Sequence, residues 1–272
     1  MVCSWHRVGN QLLVIVAAIM TQSLYSAASF EKAANTYSSF NRIQSYVFSH
    51  LLQSYPIKSV DTCVDVGCAS GENTHILHTK YKSRNTLGID SSAAMIKSAQ
   101  SKLGSSDVRF EHASYDYLST LSSVDLIVSN VSMQWFESCV LFFKYLSFHQ
   151  KQGAIVLVSA FLPGTYWQLA KAIRACVNPD FYIPAESFYS ESYYSTISKA
   201  QDINLDISTH KLSTTFDSVL SLLKSIKLTG VAVPEAKLHL TKTSIKMLED
   251  YFLYHFGAVR VDFEYILMKP FA

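Results

Sequence analysis

From about residue 60 onward, short apolar runs alternate with longer amphipathic stretches. Five apolar runs are typical of strands: TCVDVG, NTLGID, DVRFEHA, VDLIVSN and GAIVLVSAF. The stretches between them predict helices, one beginning at Glu72, one over SSAAMIKSAQSKL with Ser91 or Ser92 as N-cap, and one over WFESCVLFFKYLSF. Repeated strand–helix units predict an α/β fold, with a mostly parallel sheet that carries helices on both faces.

The alternation stops after Leu162. Residues 163–205 are rich in tyrosine and phenylalanine and predict a helical, lid-like insertion after the fifth strand. Beyond it, DISTHKLSTTF and VRVDFEYILMK predict two further strands, and DSVLSLLKSIK and SIKMLEDYFLYHF predict the helices between them. The chain therefore divides into a core over residues 30–162, the insertion over 163–205, and the end of the core over 206–272.

Composition narrows the class of protein. The 272 residues are 49% hydrophobic and 16% charged, so the chain can bury a large core and is not expected to be disordered. A net charge of +2 argues against a general nucleic-acid binder. The five cysteines are irregularly spaced without a CxxC pair, which fits a reduced, cytoplasmic protein. His75 and His78 lack partner ligands nearby in the sequence, so no metal site is predicted.

One segment disagrees with a cytoplasmic location. Residues 1–28 combine Arg7, an apolar run from Leu12 to Met20 and small residues at 26–28, which is the pattern of a secretory signal. The run is too short to predict a transmembrane helix, and no membrane association is expected. We favour Met20 as the true start, in which case residues 1–29 are a leader or a misassigned beginning and the protein is expected to be cytoplasmic.

The stretch CVDVGCASGENTH raises the question of a ligand. Gly67 and Gly71 follow the first strand, where backbone N–H groups could approach a ligand, and Asp90 ends the second strand, where a carboxylate could accept both hydroxyls of a ribose. The pattern is not the Gly-x-Gly-x-x-Gly of dinucleotide sites, and Asp65 would repel a pyrophosphate but not a cationic ligand. S-adenosylmethionine, with its sulfonium, ammonium and ribose, matches this arrangement. Alternatively, the two acids are simply caps of a turn and a helix.

These residues resemble the class I S-adenosylmethionine-dependent methyltransferases, with a Rossmann-like fold. From Phe30 to the C-terminus the chain is most similar to the malonyl-acyl-carrier-protein O-methyltransferases of biotin synthesis. Four motifs carry the resemblance: FEKAANTYSSFNRIQ, with Tyr37 and Gln44; DVGCASG and GIDSSAAMI; VDLIVSNVSMQWFES; and LLKSIKLTGV. Two departures are Ala69 in the middle of the glycine turn and Ser114 where the family usually has an acid that meets adenine, with Asp116 two residues further on.

The resemblance implies an O-methyltransferase that uses S-adenosylmethionine to esterify the free carboxylate of malonyl-acyl-carrier protein in the early, pimeloyl part of biotin synthesis. It implies cofactor-binding roles for Asp65, Gly67, Ala69, Gly71, Asp90, Ser91, Ser114 and Asn130. It places Tyr37, Gln134 and Trp135 beside the transferred methyl, although Trp135 could equally be a core residue. Lys171 and Arg174 are candidates for the substrate carboxylate by position alone.

The partner would be an acidic acyl carrier protein. Basic residues between 224 and 246 could dock it, or could simply be a solvated helix face; they are Lys224, Lys227, Lys237, Lys242 and Lys246. Two other functions stay open. One is methylation of a small free acid such as trans-aconitate, and the other is an inactive binding protein on a methyltransferase scaffold.

Overall fold

The computed structural model describes residues 29–230 and 240–271. The signal-like segment, Met20 and Lys237 lie outside these residues. Within them, seven strands form one sheet in the order β3-β2-β1-β4-β5-β7-β6. The strands are β1 (Thr62–Val66), β2 (Asn85–Asp90), β3 (Val108–His112), β4 (Leu126–Asn130), β5 (Ile155–Phe161), β6 (Asp206–Phe216) and β7 (Val259–Lys269).

Strands β1 to β5 pair in parallel, and β7 lies antiparallel between β5 and β6. The helices are α1 (29–33), α2 (Tyr37–Phe40), α3 (Arg42–Ser54), α4 (Glu72–Tyr81), α5 (Ala93–Leu103), α6 (Cys139–Lys151), α7 (Trp167–Cys176), α8 (Glu191–Ala200), α9 (Val219–Leu228) and α10 (Lys242–Phe256). The predicted α/β class, with a mostly parallel sheet, is confirmed.

Helices cover both faces because successive residues of each central strand point to opposite sides. Cys63, Leu126 and Leu157 pack with α3, α4, α7, α9 and α10 on one face. Their neighbours Val64 and Ile127 pack with α6 and α8 on the other. This explains why the strands show continuous apolar runs rather than alternation. None of the helices within the described residues is long and apolar enough to cross a membrane.

The prediction of a helix over WFESCVLFFKYLSF was wrong at its start. Met133–Trp135 form one 3-10 turn, and α6 begins only at Cys139, where the Ser138 hydroxyl accepts the backbone N–H of Leu141. The aromatic rings of Trp135 and Phe136 continue the helical spacing but belong to a loop. Ser92, not Ser91, is the N-cap of α5.

The insertion after β5 is helical, as expected. It contains α7, a 3-10 turn over Pro184–Ser187 and α8. Arg174 on α7 donates to the Phe181 carbonyl and pairs with the Glu186 carboxylate. These contacts fold the middle of the insertion back over α7, so the insertion has a defined shape of its own. Its role as a lid stays a prediction.

Candidate active site

The carboxyl ends of β1 to β4 open into a cavity of about 240 Å³. Because all four strands are parallel, their ends meet at one edge of the sheet, and the loops that follow them supply the walls. Eight residues named from the sequence line this cavity, of which the first seven along the chain are Tyr37, Gly67, Ala69, Asp90, Ser91, Ser114 and Asn130. Trp135 lines it too, whereas Asp65, Gly71 and Gln134 do not.

The backbone N–H groups of the turn after β1 donate hydrogen bonds to acceptors at the end of β2. The N–H groups of Gly67 and Cys68 donate to the Ile89 carbonyl at 2.8 and 3.0 Å, and that of Ala69 donates to Asp90 Oδ2 at 2.9 Å. The expectation that these N–H groups face a ligand is therefore wrong. A phosphate needs such free donors, so the turn is unlike a phosphate-binding loop.

Asp90 ties the ends of β1 and β2 together. Its second oxygen, Oδ1, accepts the N–H of Ser92 at 2.8 Å, so backbone donors hold the carboxylate in one orientation at the cavity wall. Burial raises the pKa of Asp90 above its ordinary value, although the two N–H donors oppose that shift. A ligand hydroxyl that approaches Asp90 would meet a fixed acceptor with lone pairs still available.

The two glycines of the turn serve different purposes. Gly67 has φ +78°, and a Cβ there would lie 2.4 Å from the Ser132 side chain. Gly71 has φ +88°, precedes α4, and packs against the Phe110 ring, away from the cavity. Ala69 between them has φ +47°, a left-handed conformation that favours glycine. The turn thus keeps its shape at the cost of strain at Ala69.

Asp65 lies inside β1 and is 1% exposed. Its Oδ2 accepts the Thr74 hydroxyl of α4 at 2.7 Å. Burial raises the pKa of Asp65 to about 7, with that hydrogen bond opposing the shift. The carboxyl group therefore sits behind the cavity wall, where it acts on a ligand through the local field and not by direct contact.

A second, smaller cavity of about 30 Å³ adjoins the first. Both cavities share Phe30, Tyr37, Val131 and Trp135 in their walls. The insertion and α9 complete the smaller one, whose remaining lining residues are Gln44, Gln134, Phe161, Thr165, Tyr166, Ile183, Pro184, Ala185, Phe188 and Ile226. The described residues that line it include no lysine, arginine or histidine.

Two carboxamides of the small cavity carry buried oxygens without a partner. Gln134 Nε2 donates to the Val131 carbonyl at 2.7 Å, which fixes the amide and leaves its Oε1 unpaired. Gln44 Oε1 is likewise buried without a hydrogen bond. Buried polar atoms are normally paired, so these two oxygens are exceptions within this part of the structure.

Asn130 is held rigidly at the end of β4. Its Nδ2 donates to the Gln44 carbonyl at 3.0 Å, and its Oδ1 accepts the Ser159 hydroxyl at 2.8 Å. The next residue, Val131, has φ +42°, which is an outlier for a β-branched residue. Such strain gathers at functional sites, and here it turns the chain between the two cavities.

Tyr37 stands at the junction of the two cavities. Burial, together with the nearby carboxylates of Asp90, Glu72 and Asp65, raises the pKa of its hydroxyl above the ordinary value. The group therefore stays protonated at neutral pH and can donate a hydrogen bond. Neither candidate cation joins it: Lys171 is exposed on α7, Arg174 is paired with Glu186, and neither residue lines either of these two cavities.

Several lining residues escaped sequence reasoning. Ser132, Phe136 and Glu137 had been assigned to a helix or passed over, and Thr165, Tyr166 and Phe188 lie far away in the chain. Only the folding of the insertion and of the loop after β4 brings them to the site. The aromatic content of the insertion was the one available signal.

Comparison with known proteins decides the class. Residues 63–153, which run from β1 to the end of α6, match the sequence model of a methyltransferase domain family. The protein is an S-adenosylmethionine-dependent methyltransferase. The malonyl-[acyl-carrier protein] O-methyltransferase 2 of Ilyobacter polytropus is 26% identical over 230 residues, which cover 81% of this chain and 86% of that protein. The trans-aconitate 2-methyltransferase of Escherichia coli O157:H7 is 35% identical over 108 residues, 39% of this chain and 42% of that protein.

Solved structures agree on the fold of this methyltransferase. The YcgJ protein of Bacillus subtilis superposes with a TM-score of 0.57 at 15% identity and covers 83% of this chain and 97% of its own. A phosphoethanolamine N-methyltransferase 2 of Haemonchus contortus, solved with S-adenosyl-L-methionine, has a TM-score of 0.53 at 12% identity and covers 88% of this chain and 57% of its own. The expected class I, Rossmann-like fold is thereby confirmed.

The cofactor fits the larger cavity by charge. Asp90 and Glu137 are its charged lining residues, and the described residues that line it include no lysine, arginine or histidine. Such a wall favours a cation with hydroxyls over a phosphate. Asp90 would hold the ribose hydroxyls, the backbone of Gly67 would lie along the methionine portion, and the sulfonium would face the junction with the small cavity. When bound, the cofactor supplies an electrophilic methyl group.

Proposed function

We propose that this methyltransferase esterifies the free carboxylate of a malonyl thioester carried on acyl carrier protein, in the early steps of biotin synthesis. The small cavity supports this substrate. It is small, it combines apolar walls with Tyr37 and Gln44, and its described lining includes no lysine, arginine or histidine, so a single carboxylate would cost less to bury there than several. A small polyanion such as trans-aconitate would have to bury several charges there without a counter-charge, which is costly.

The extent of similarity supports the same substrate. The likeness to the Ilyobacter malonyl-carrier enzyme runs through 81% of this chain, so it takes in sequence beyond the common core. The likeness to trans-aconitate methyltransferases extends over 108 residues only. Residues that select the substrate lie largely in the insertion, so the longer match is the more informative one.

The chemistry needs positioning rather than a base. A malonyl carboxylate is ionised at neutral pH and is already a nucleophile. Tyr37, and Gln44 through its amide, would donate hydrogen bonds that orient this carboxylate, while Trp135 and Phe188, whose ring centroids are 5.1 Å apart, exclude water. Holding the two reactants in line can supply about 7–11 kcal/mol of the barrier reduction. Gln134 would shape the wall through the Val131 carbonyl.

The carrier protein would dock on α9 and α10. Lys224 and Lys227 on α9 are exposed, as are Lys242 and Lys246 on α10. Lys237 falls outside the described residues. Apolar side chains accompany these charges, since Leu220 is 60% exposed and Met247 is 44% exposed. Positive charge around a small apolar centre complements an acidic helical partner.

The test is an intact-mass assay. Protein beginning at Met20 is incubated with S-adenosylmethionine and malonyl-acyl-carrier protein, beside malonyl-CoA and trans-aconitate, with Asp90→Ala as the cofactor-site control. A methyl ester on the carrier protein that disappears in the control supports the proposal. Esterified trans-aconitate with an unmodified carrier would favour the small-acid alternative. Failure to bind S-adenosylhomocysteine would favour an inactive binding protein.

A cytoplasmic location belongs to the same proposal, because malonyl-acyl-carrier protein and S-adenosylmethionine are cytoplasmic compounds. It is tested separately by the N-terminus of the mature protein. A chain that begins at or before Met20 supports it, and a chain processed near Ala28 would contradict it.

A further inference from the structure

We propose that Glu137 recognises the adenine base of the cofactor by accepting hydrogen bonds from its exocyclic amine. In the sequence, Ser114 stands where the family has its adenine-binding acid, with Asp116 two residues further on, and the sequence alone does not decide which residue contacts the adenine. The inference concerns the cofactor cavity, and it holds whatever the methyl acceptor is.

The position of Glu137 follows from packing between two loops. Phe136 stacks on Tyr115, with ring centroids 4.8 Å apart and planes inclined by 22°. Burial raises the pKa of the Tyr115 hydroxyl, the Ser138 backbone lowers it and the charge of Glu137 raises it, so both residues of this loop lie close to the Tyr115 hydroxyl. The loop after β4 therefore crosses to the end of β3, and Glu137 reaches the cavity beside Ser114 and Tyr115.

The part of the larger cavity beside Glu137 is lined by different residues from the part where the methyl group is transferred. Phe30, Tyr37, Val131 and Trp135 line both cavities and mark the junction where the sulfonium must lie. Ser114, Tyr115 and Phe136 line only the larger cavity. With Asp90 holding the ribose between these two regions, the base is directed to the side of Ser114 and Glu137.

Asp116 does not share this position. It is exposed, lies on the 3-10 helix Tyr115–Thr120, and is not part of the cavity lining. Glu137 and Asp90 are the acids in that lining, and Asp90 already receives two backbone N–H groups. Since Asp90 is assigned to the ribose, Glu137 is the acid in that lining that remains for the base.

The chemistry gives a selectivity that can be measured. The exocyclic amine of adenine donates two hydrogens, and a carboxylate accepts them well. Hypoxanthine carries a carbonyl oxygen at the same place, which a carboxylate repels. The intact site should therefore prefer an adenosyl to an inosyl ligand, by about tenfold if one charge-assisted hydrogen bond is at stake.

Affinities measured by calorimetry distinguish adenine recognition by Glu137 from a contact to the amino-acid portion of the cofactor. Three ligands are compared: S-adenosylhomocysteine, S-inosylhomocysteine and 5′-methylthioadenosine, which lacks the amino-acid portion. The variants are Glu137→Gln and, as the matched control, Asp116→Asn. Both residues are exposed, and circular dichroism and the melting temperature verify that each variant is folded.

We expect wild-type protein to favour the adenosyl over the inosyl ligand, Glu137→Gln to lose most of that preference, and Asp116→Asn to keep it. In Glu137→Gln the affinity for methylthioadenosine should fall together with that for S-adenosylhomocysteine. An unchanged preference in Glu137→Gln, its absence in wild-type protein, or its loss in Asp116→Asn would overturn the proposal. If Glu137→Gln bound S-adenosylhomocysteine more weakly but methylthioadenosine with unchanged affinity, the proposal would also be overturned, because Glu137 would then bind the ammonium group of the ligand.

Discussion

Around the cofactor cavity, two residues have a strained backbone conformation and one buried residue carries a carboxyl group. Ala69 and Val131 both adopt left-handed backbone conformations, at φ +47° and +42°. Each lies in a turn that directly follows a central strand and lines the larger cavity. Asp65 adds a buried acid behind the wall, whose pKa burial raises to about 7. Such residues weaken the fold locally and are retained where a ligand needs them.

The raised pKa of Asp65 predicts a proton linked to binding. Near pH 7 a substantial fraction of Asp65 is protonated, and a cationic ligand nearby stabilises the carboxylate and lowers its pKa. We expect S-adenosylmethionine to release protons on binding between about pH 6 and 8, and S-adenosylhomocysteine, without the sulfonium charge, to release fewer. Titration calorimetry in two buffers of different ionisation enthalpy measures the release.

Asp65→Asn is the matched variant, because the amide oxygen can still accept the Thr74 hydroxyl. It should bind the ligand with no such proton release at neutral pH. An equal release in wild-type protein and in Asp65→Asn would contradict this account of the buried carboxyl.

Removal of the Tyr37 hydroxyl is expected to slow catalysis. Its hydroxyl stays protonated and lies at the junction of the cavities, where it can orient the acceptor carboxylate. Tyr37→Phe should lower kcat/KM about tenfold, the worth of one hydrogen bond to a charged group, while S-adenosylhomocysteine affinity changes little. Tyr46→Phe, on the exposed side of α3, is the control and should leave both quantities unchanged. A tenfold loss of cofactor affinity in Tyr37→Phe, with kcat unaffected, would place the residue in the cofactor site instead.

At the scale of elements, Asp262 joins the end of the sheet to the insertion. It lies on β7, is 2% exposed, and pairs with Lys211 of β6 at 2.7 Å. It also accepts the Ser213 hydroxyl at 2.6 Å and the Trp167 indole N–H of α7 at 3.0 Å. Burial alone would raise its pKa, but the hydrogen bonds from Lys211, Ser213 and Trp167 outweigh burial and lower the pKa to about 2.

Asp262→Asn should therefore lower the free energy of unfolding by about 2–4 kcal/mol, because Lys211 loses its counter-charge in a partly buried network. Asp206→Asn is the control, since the Asp206 side chain is 42% exposed against 3% for Asp262 and its pair with Lys269 should contribute less than about 1 kcal/mol. Since the folded-state pKa is depressed, the contribution of Asp262 is fully present above about pH 4 and is lost as the pH falls through about 2. Chemical denaturation at pH 7 and pH 3 measures both effects, and equal losses in the two variants would contradict the prediction.

Sequence patterns predicted the elements better than their junctions. The five parallel strands came from apolar runs, because a strand buried on both faces needs such residues throughout. The start of α6 was misplaced, because Trp135 and Phe136 have helical spacing but pack on Phe188 and Tyr115 through tertiary contacts. The antiparallel position of β7 between β5 and β6 has no local signal at all.

In the candidate site, too, some residues could be predicted from the sequence and others could not. Asp90 and Gly67 could be named from their positions at strand ends, and Ser114 through the resemblance to the methyltransferases. Glu137 could not, because it reaches the cavity only through the stacking of Phe136 on Tyr115. The amides of the glycine turn looked free in the sequence, but the Ile89 carbonyl and the Asp90 carboxylate bind them.

At the scale of the whole molecule, a small net charge conceals an uneven distribution. The chain carries +2 overall, yet exposed lysines gather on α9 and α10. Reversing two of them with Lys242→Glu and Lys246→Glu should raise KM for malonyl-acyl-carrier protein several-fold, because like charges then meet an acidic partner. KM for malonyl-CoA, which lacks the protein partner, should stay the same.

Lys102→Glu, exposed on α5, provides the control and should affect neither substrate. The difference between wild-type protein and the double variant should shrink at high salt, since exposed charges are screened. An equal rise of KM for malonyl-CoA would show that α10 does not act through carrier docking.

The two adjoining cavities are the centre of the account, and a crystal structure with bound S-adenosylhomocysteine tests them most directly. We predict that the ribose hydroxyls lie on Asp90 and that the sulfur points to the junction formed by Phe30, Tyr37, Val131 and Trp135. Its open side would then face the small cavity, where the acceptor carboxylate must lie for an in-line transfer. A sulfur turned away from that junction, or a ligand bound outside the larger cavity, would contradict the account.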